Sequence, residues 1–252
     1  MPYPIDGSNH WIGIKNEKNV VDYMNKNSHC EINNIISNGN NTIWVHKGGT
    51  KEKADAVVCF SENSKSVSIK NHSSGSFDWI NTTKIPLDTN FVKKELQNFR
   101  GKYFKIPITP NIRRECGNIM TQLFLQLTSE KIKNILIQFQ KTYCDWSIVN
   151  YKKKKQLFLI DKKSIFPDFI EDSQYILKGN ALGSRVIWRQ DKDGTEKNLN
   201  LRIRFVLNNG LGALLGLSEK NSNSSLSMKL QQDKVIQWLN RIPNKIIHGY
   251  ED

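Results

Sequence analysis

The stretch "NLNLRIRFVLNN", residues 198–209, limits the possible folds more than any other part of the chain. Leu199, Leu201, Ile203, Phe205 and Leu207 fall at every second position and alternate with Asn200, Arg202, Arg204 and Val206. Successive side chains of a strand point to opposite faces, so the spacing predicts a strand with one apolar face and one cationic or amide face. "SRVIWRQ" lies just before it, across "DKDGTEK", whose Asp-Gly pair suits a tight turn. A β-hairpin over Gly183–Arg204 and beyond follows, and its apolar face needs a covering layer.

Helical patterns supply that layer. In "IKNEKNVVDYMNK", Ile14, Glu17, Val21 and Met24 share one helical face. Residues from about Phe91 to Trp146 read as helical, with Met120, Leu123, Phe124, Leu127, Ile132, Ile135, Leu136 and Phe139 facing a core. "NNTIWVHKGG" predicts a short strand, and so does Gln156–Ile160, entered through the solvated lysines 152–155. "NNGLGALLGLSEKNSNSS" reads as a loop, and "SMKLQQDKVIQWLNRI" as a last helix stopped near Pro243. No repeat or domain boundary stands out. The expectation is a single domain over 1–252, of α/β or α+β class, with a central mixed β-sheet flanked by helices. Its parts would be a catalytic part at about 10–90, a helical part at about 91–150, a β region at about 155–210 and a C-terminal helix at about 226–242.

Charge narrows the partner. The chain of 252 residues carries 37 Lys+Arg against 24 Asp+Glu, a net charge of +13. Such an excess attracts polyanions, and nucleic acid first among them; basic proteins without a polyanionic partner also exist. Cys30, Cys59, Cys116 and Cys144 form no C-x-x-C pair and have no zinc-ligand spacing. They read as free thiols in a reducing compartment, with Cys59 a small buried hydrophobe. There is no signal-peptide pattern at the N-terminus and no apolar run of about 20 residues. A cytoplasmic protein without membrane contact is expected.

One stretch carries chemistry. "KADAVVCFSENSKSVSIKNH", residues 53–72, reads as a hairpin of Ala54–Phe60 and Lys65–Lys70 around a polar break. Asp55 stands among Ala54, Ala56, Val57 and Val58, where a carboxylate is costly to desolvate. Ser68 and Lys70 are two apart and share a face. If the strands pair, Asp55 and Lys70 meet at one rim. Asp55 and the Ile69 carbonyl then offer oxygen ligands to Mg2+, while Lys70 orients an attacking water and stabilises developing charge. Glu17, inward on its helix, supplies another ligand. The alternatives are plain: a strand-entry turn at Asp55, a solvated strand end at Lys70 and an inward ion pair with a lysine at Glu17.

The pattern resembles the D-x(n)-[E/D/Q/N/S]-x-K active site of the PD-(D/E)XK nucleases. More narrowly, "GIKNEKNVVDYMN", "ADAVVCFSENSKSVSIKNHSSGSF" and "LGSRVIWRQDKDGTEKNLNLRIRFVL" resemble, in order, the N-terminal helix, active-site hairpin and C-terminal hairpin of type II restriction endonucleases of the HinP and MspI kind. The resemblance implies a restriction-endonuclease-like fold and Mg2+-dependent cleavage of double-stranded DNA at a short palindrome, four base pairs such as GCGC. The products would carry 5′-phosphate and 3′-hydroxyl ends. It also implies a monomer or a homodimer, and a cognate DNA methyltransferase as genetic neighbour. Catalysis would fall to Asp55, Ser68, Lys70 and Glu17, with Asp55, Ile69 and Glu17 holding the metal. Ser68 departs from the carboxylate or amide usual at its position. This departure leaves a second reading, a non-catalytic or nonspecific DNA-binding protein on a decayed nuclease scaffold.

DNA contacts are expected at two places. The loop after Lys70 offers Asn71, His72, Ser73, Ser74 and Ser76. The C-terminal hairpin offers Ser184, Arg185, Arg189, Gln190 and Lys192 on its first strand and turn, and Asn200, Arg202 and Arg204 on its second. A two-stranded ribbon fits the major groove, and Arg185 and Arg189 are the expected base readers.

Overall fold

The computed structural model describes residues 8–47, 54–72, 77–82, 88, 90–165, 173–218, 226–242 and 245–250. The chain forms two compact units of interleaved segments. The first takes residues 1–77, 139–168 and 236–252; the second takes 78–138 and 169–235. The catalytic, helical and β parts read from the sequence are therefore each distributed over both units or cut by their borders.

The first unit is built on a mixed six-stranded sheet. Its strands are β1 (Ile43–His46), β2 (Ala56–Phe60), β3 (Asn63–Asn71), β5 (Trp146–Tyr151), β6 (Gln156–Asp161) and β11 (Lys245–His248), in that spatial order. Only the β3–β5 pair is parallel; Val67 lies opposite Trp146, Ser68 opposite Ser147 and Lys70 opposite Val149. The other neighbours pair antiparallel. Helices α1 (Ser8–Lys26) and α2 (Glu31–Ser37) flank this sheet. Val20, Val21 and Met24 of α1 join Ile32 and Ile36 of α2 over Trp44, Ala56, Val58, Val67, Ile69 and Ile148 in one core. The β2–β3 turn is tight, with Ser61 in the left-handed region at φ 49. Cys59, expected inside, is exposed: on a strand that alternates, it takes the outward position between Val58 and Phe60.

Parallel strands lack a hairpin to set their register. Here a side-chain clasp does so: Asp145 accepts from the Ser66 amide at 2.9 Å and the Ser66 hydroxyl at 2.8 Å, and its own amide returns a bond to Ser66 Oγ at 3.0 Å.

The second unit carries a five-stranded sheet in the order β4 (Phe77–Thr82), β10 (Leu226–Gln232), β9 (Glu196–Leu207), β8 (Ser184–Gln190) and β7 (Gln174–Lys178). Its helical side includes α3 (Asn90–Tyr103), α4 (Pro110–Thr121), a 3-10 turn over Gln122–Gln126 and the short α7 (Gly210–Leu214). Helix α5 (Ser129–Thr142) follows the 3-10 turn. The Phe124 ring lies 4.8 Å from that of Phe205, so the 3-10 turn covers the apolar face of β9. Helix α6 (Lys162–Ile165) belongs to the first unit, as does α8 (Val235–Leu239) from Ile236 on.

Two further sequence expectations fail for physical reasons. Residues 226–232, read as the start of a helix, form β10. Leu226, Met228 and Leu230 alternate with Ser227, Lys229 and Gln231, a period of two that the apolar cluster in "VIQWL" masked. Asn200 does not share an open polar face with Arg202 and Arg204. The β8–β9 register jumps from Ile187↔Leu201 to Trp188↔Asn198, and Asn200 sits in this bulge at φ 54, 8% exposed. Its carbonyl accepts from the Gln232 amide group and the Asp233 backbone, each at 2.7 Å. Asparagine tolerates the left-handed region far better than β-branched residues do. Asn200→Gly should be close to neutral in urea titration, whereas Asn200→Val should lose about 1–3 kcal/mol. Equal midpoints for the two variants would show that the bulge does not need this conformation.

Candidate active site

The site forms where β2 and β3 part. Ala56 lies opposite Val67, and the Asp55 amide donates to the Val67 carbonyl at 3.0 Å. Beyond that point β3 continues beside β5, and among the described residues its other edge has no strand partner. The Asp55 carboxylate fills the gap: Oδ2 accepts the Ile69 N–H at 2.6 Å and the Ser68 hydroxyl at 2.9 Å. Lys70 Nζ stands 3.8 Å from the same oxygen. A strand residue points its N–H and C=O to the same side, so the Ile69 carbonyl opens toward Asp55 as well.

Glu17 reaches the site from α1, and His46 from the end of β1. His46 Nε2 and Glu17 Oε2 are 3.0 Å apart. The Glu17 pKa is raised above the ordinary carboxylate value. Burial is the main cause; the His46 hydrogen bond opposes it, the negative charge of Asp55 adds to it, and Lys70 opposes it. Glu17, Asp55, Lys70 and His46 thus share one electrostatic neighbourhood, and the pairing of Glu17 is with a histidine rather than a lysine. His46 escaped the sequence reading; its signal was the polar residue closing "TIWVH".

Under this group lies a polar floor. Ser68 and Ser147 are fully buried, and Tyr143 nearly so. The Ser147 hydroxyl donates to Tyr143 at 3.2 Å, and Tyr143 is hydrogen-bonded to Ser68. Burial raises the Tyr143 pKa, keeping the phenol protonated. Asn150 donates to Asn16 Oδ1 at 2.6 Å beside Glu17. Burial pushes the Cys144 thiol up to about 11, so thiolate chemistry plays no part at neutral pH.

Asp55, Glu17 and the Ile69 carbonyl form an all-oxygen set, which fits a hard cation such as Mg2+ that takes few protein carboxylates and keeps waters or substrate oxygens. Among the described residues no group of three His, Cys, Asp or Glu side chains is placed to hold a metal.

The expected DNA-contacting residues divide sharply. Asn71 ends β3 with its side-chain oxygen buried and, among the described residues, without a partner. His72 is 5% exposed and lies against the Tyr151 ring, with burial and then Lys153 lowering its pKa. A buried imidazole is not the open polar donor the loop was expected to offer. Ser73, Ser74 and Ser76 lie outside the described residues.

In the hairpin of the second unit, Arg185 lies opposite Ile203, whereas Ser184 lies opposite Arg204 and Val186 opposite Arg202. Arg185 therefore projects on the apolar face, where its guanidinium stacks 5.0 Å over Phe124 and donates to the Ala181 and Ser184 carbonyls at 2.5 and 2.8 Å. Arg189 is tied to Asp191 at 2.8 Å and its side chain is 13% exposed. Both expected base readers are thus engaged within the chain. Ser184 is buried, Gln190 half-buried and Lys192 exposed in the turn. The opposite face carries Arg202, paired with Asp233, and exposed Arg204. Lys229 and Gln231 of β10 stand beside them, both bonded to Asp78 of β4. A cleft of about 500 Å3 opens here, with Arg113, Arg204 and Lys229 among its lining residues. Lys229 and Gln231 were hidden by reading β10 as helix.

Comparison of the chain with protein-family models, with curated proteins and with solved structures found no match.

A raised carboxylate pKa stabilises the fold fully below the ordinary value of 4.5 and loses that contribution as pH rises through the raised value. In chelator-containing buffer, wild type should therefore lose stability relative to Glu17→Gln as pH climbs from about 4.5 toward neutrality. Urea midpoints at several pH values check this; a pH-independent difference would contradict the shift.

Proposed function

We propose that this chain is a Mg2+-dependent endonuclease of double-stranded DNA, with a PD-(D/E)XK type of active site and a sequence-specific, restriction-type action. The observation that carries the reading is the convergence of Asp55, Lys70 and Glu17, from a strand entry, a strand end and a helix, on the gap between β2 and β3. The motif order resembling HinP and MspI enzymes and the net charge of +13 support it. Asp55, Glu17 and the Ile69 carbonyl would hold the ion, which supplies a Lewis acid and an acidified water when bound. Lys70 Nζ, near Asp55 but not closely bonded to it, is free to orient the attacking water and to offset charge on the phosphate. In the second unit, the face of Arg202, Arg204, Lys229 and Gln231 takes the DNA. Arg185, on the apolar face, braces the hairpin.

The second reading, a DNA-binding protein on a decayed scaffold, is favoured by one observation: a buried serine stands where a carboxylate is usual. Phage DNA with Mg2+ separates the two. Discrete fragments support the restriction-type enzyme, a smear supports a nonspecific nuclease and intact DNA supports decay.

Asp55→Ala should abolish cleavage while duplex binding in gel shifts persists. Lys70→Ala should lower the cleavage rate about a thousandfold, the equivalent of about 4 kcal/mol of transition-state stabilisation. Near wild-type cutting by either variant would remove the assignment. Arg204→Ala should weaken DNA binding by about 1–3 kcal/mol. Arg185→Ala should lower the melting temperature and leave discrimination between sites unchanged. Competition binding against unrelated duplexes checks both, and lost discrimination in the Arg185 variant would restore it as a base reader.

A further inference from the structure

We propose that Ser68 is not a metal ligand but the middle of a buried hydroxyl relay, through which Tyr143 fixes the Asp55 carboxylate as a ligand for a divalent cation. The inference rests on the nuclease reading and adds to it the role of a residue pair. An ionised carboxylate only accepts hydrogen bonds, so the 2.9 Å contact makes Ser68 the donor to Asp55 Oδ2. The Ser68 hydroxyl has spent its single proton there, so in its contact with Tyr143 it accepts from the phenol. Tyr143 in turn accepts from Ser147 at 3.2 Å. The charge on Asp55 therefore sets the direction of the whole chain: Ser147 to Tyr143, Tyr143 to Ser68, Ser68 to Asp55.

Two consequences follow. Ser68 is fully buried with its proton turned toward Asp55 and a lone pair toward Tyr143, an arrangement that serves the carboxylate rather than an ion. Oδ2 already takes two donors, the Ser68 hydroxyl and the Ile69 amide, which fill its two lone-pair positions. The relay thus holds Oδ2, and Asp55 would meet an ion through Oδ1. Tyr143 and Ser68 are positioning residues, since they act through Asp55.

Calorimetric titration of the full chain with Mn2+, without DNA, tests the relay independently of cleavage. Wild type should bind the ion, and Asp55→Ala should not. Ser68→Ala and Tyr143→Phe should each retain binding with affinity lowered roughly tenfold or more, the usual scale for losing a partner that orients a metal ligand. The double variant should be no weaker than Ser68→Ala, and Ser68→Thr, which keeps the hydroxyl, should recover most of the affinity. Near-ultraviolet circular dichroism confirms folding; if Ser68→Ala fails to fold, Tyr143→Phe and Ser68→Thr decide alone. Unchanged affinity in Tyr143→Phe overturns the proposal. If Ser68→Ala loses the ion altogether while wild type binds it and cuts DNA, the relay fails and the nuclease reading stands. If wild type binds no Mn2+ and cuts no duplex, both fail.

Discussion

The hydrogen bond from the Ile69 amide to the Asp55 carboxylate is the contact on which the site depends. A strand in the middle of a sheet cannot lose a neighbour without leaving backbone groups unpaired, and buried unpaired amides are costly. β2 departs at Asp55, and its departure would orphan the Ile69 N–H. The side chain of the departing residue takes the place of the missing strand. One carboxylate thus completes the sheet and marks the place where its ladder opens. Lys70 and the Ile69 carbonyl face that opening because β3 runs on past it.

The arrangement is held from below by the parallel pair β3–β5. The Ser66–Asp145 clasp sets its register, and that register places Ser68 opposite Ser147, with Tyr143 hydrogen-bonded to both. A hydroxyl chain at this depth is fully satisfied in one direction only, and the negative charge at its end selects that direction. A carboxylate at position 68 would add a negative charge beside Asp55 and Glu17; serine adds none. It leaves the Glu17 carboxylate, already raised by burial and by Asp55, with less repulsion to overcome.

In the second unit the side-chain alternation of β9 sorts its arginines. Residues paired across antiparallel strands share a face. Arg204 joins Ser184 and Lys229 on one side, while Arg185 joins Ile203 on the other. Two arginines of one hairpin therefore do different work. Arg185 lays its guanidinium on Phe124 within the packing layer, and Arg204 remains exposed on the face that carries Lys229.

The sequence by itself determined the elements whose periodicity is strong: α1, the β2–β3 hairpin, the helices between residues 90 and 142, and the β8–β9 hairpin. It also singled out Asp55 and Glu17, because a carboxylate among apolar residues and a glutamate in an apolar stripe are anomalies visible in one dimension, and Ser68, Ile69 and Lys70 through the spacing that follows Asp55. No stretch of sequence announces which strands pair at a distance, and the rest of the site depends on that. The parallel register of β3 and β5 brought Tyr143 and Ser147 under Ser68 from more than seventy residues away. The placing of β1 beside β2 brought His46 to Glu17. The bulge at Asn200 and the pairing of β10 with β9 decided which arginines face outward, because facing follows from register, and register is a property of two strands rather than of either sequence alone.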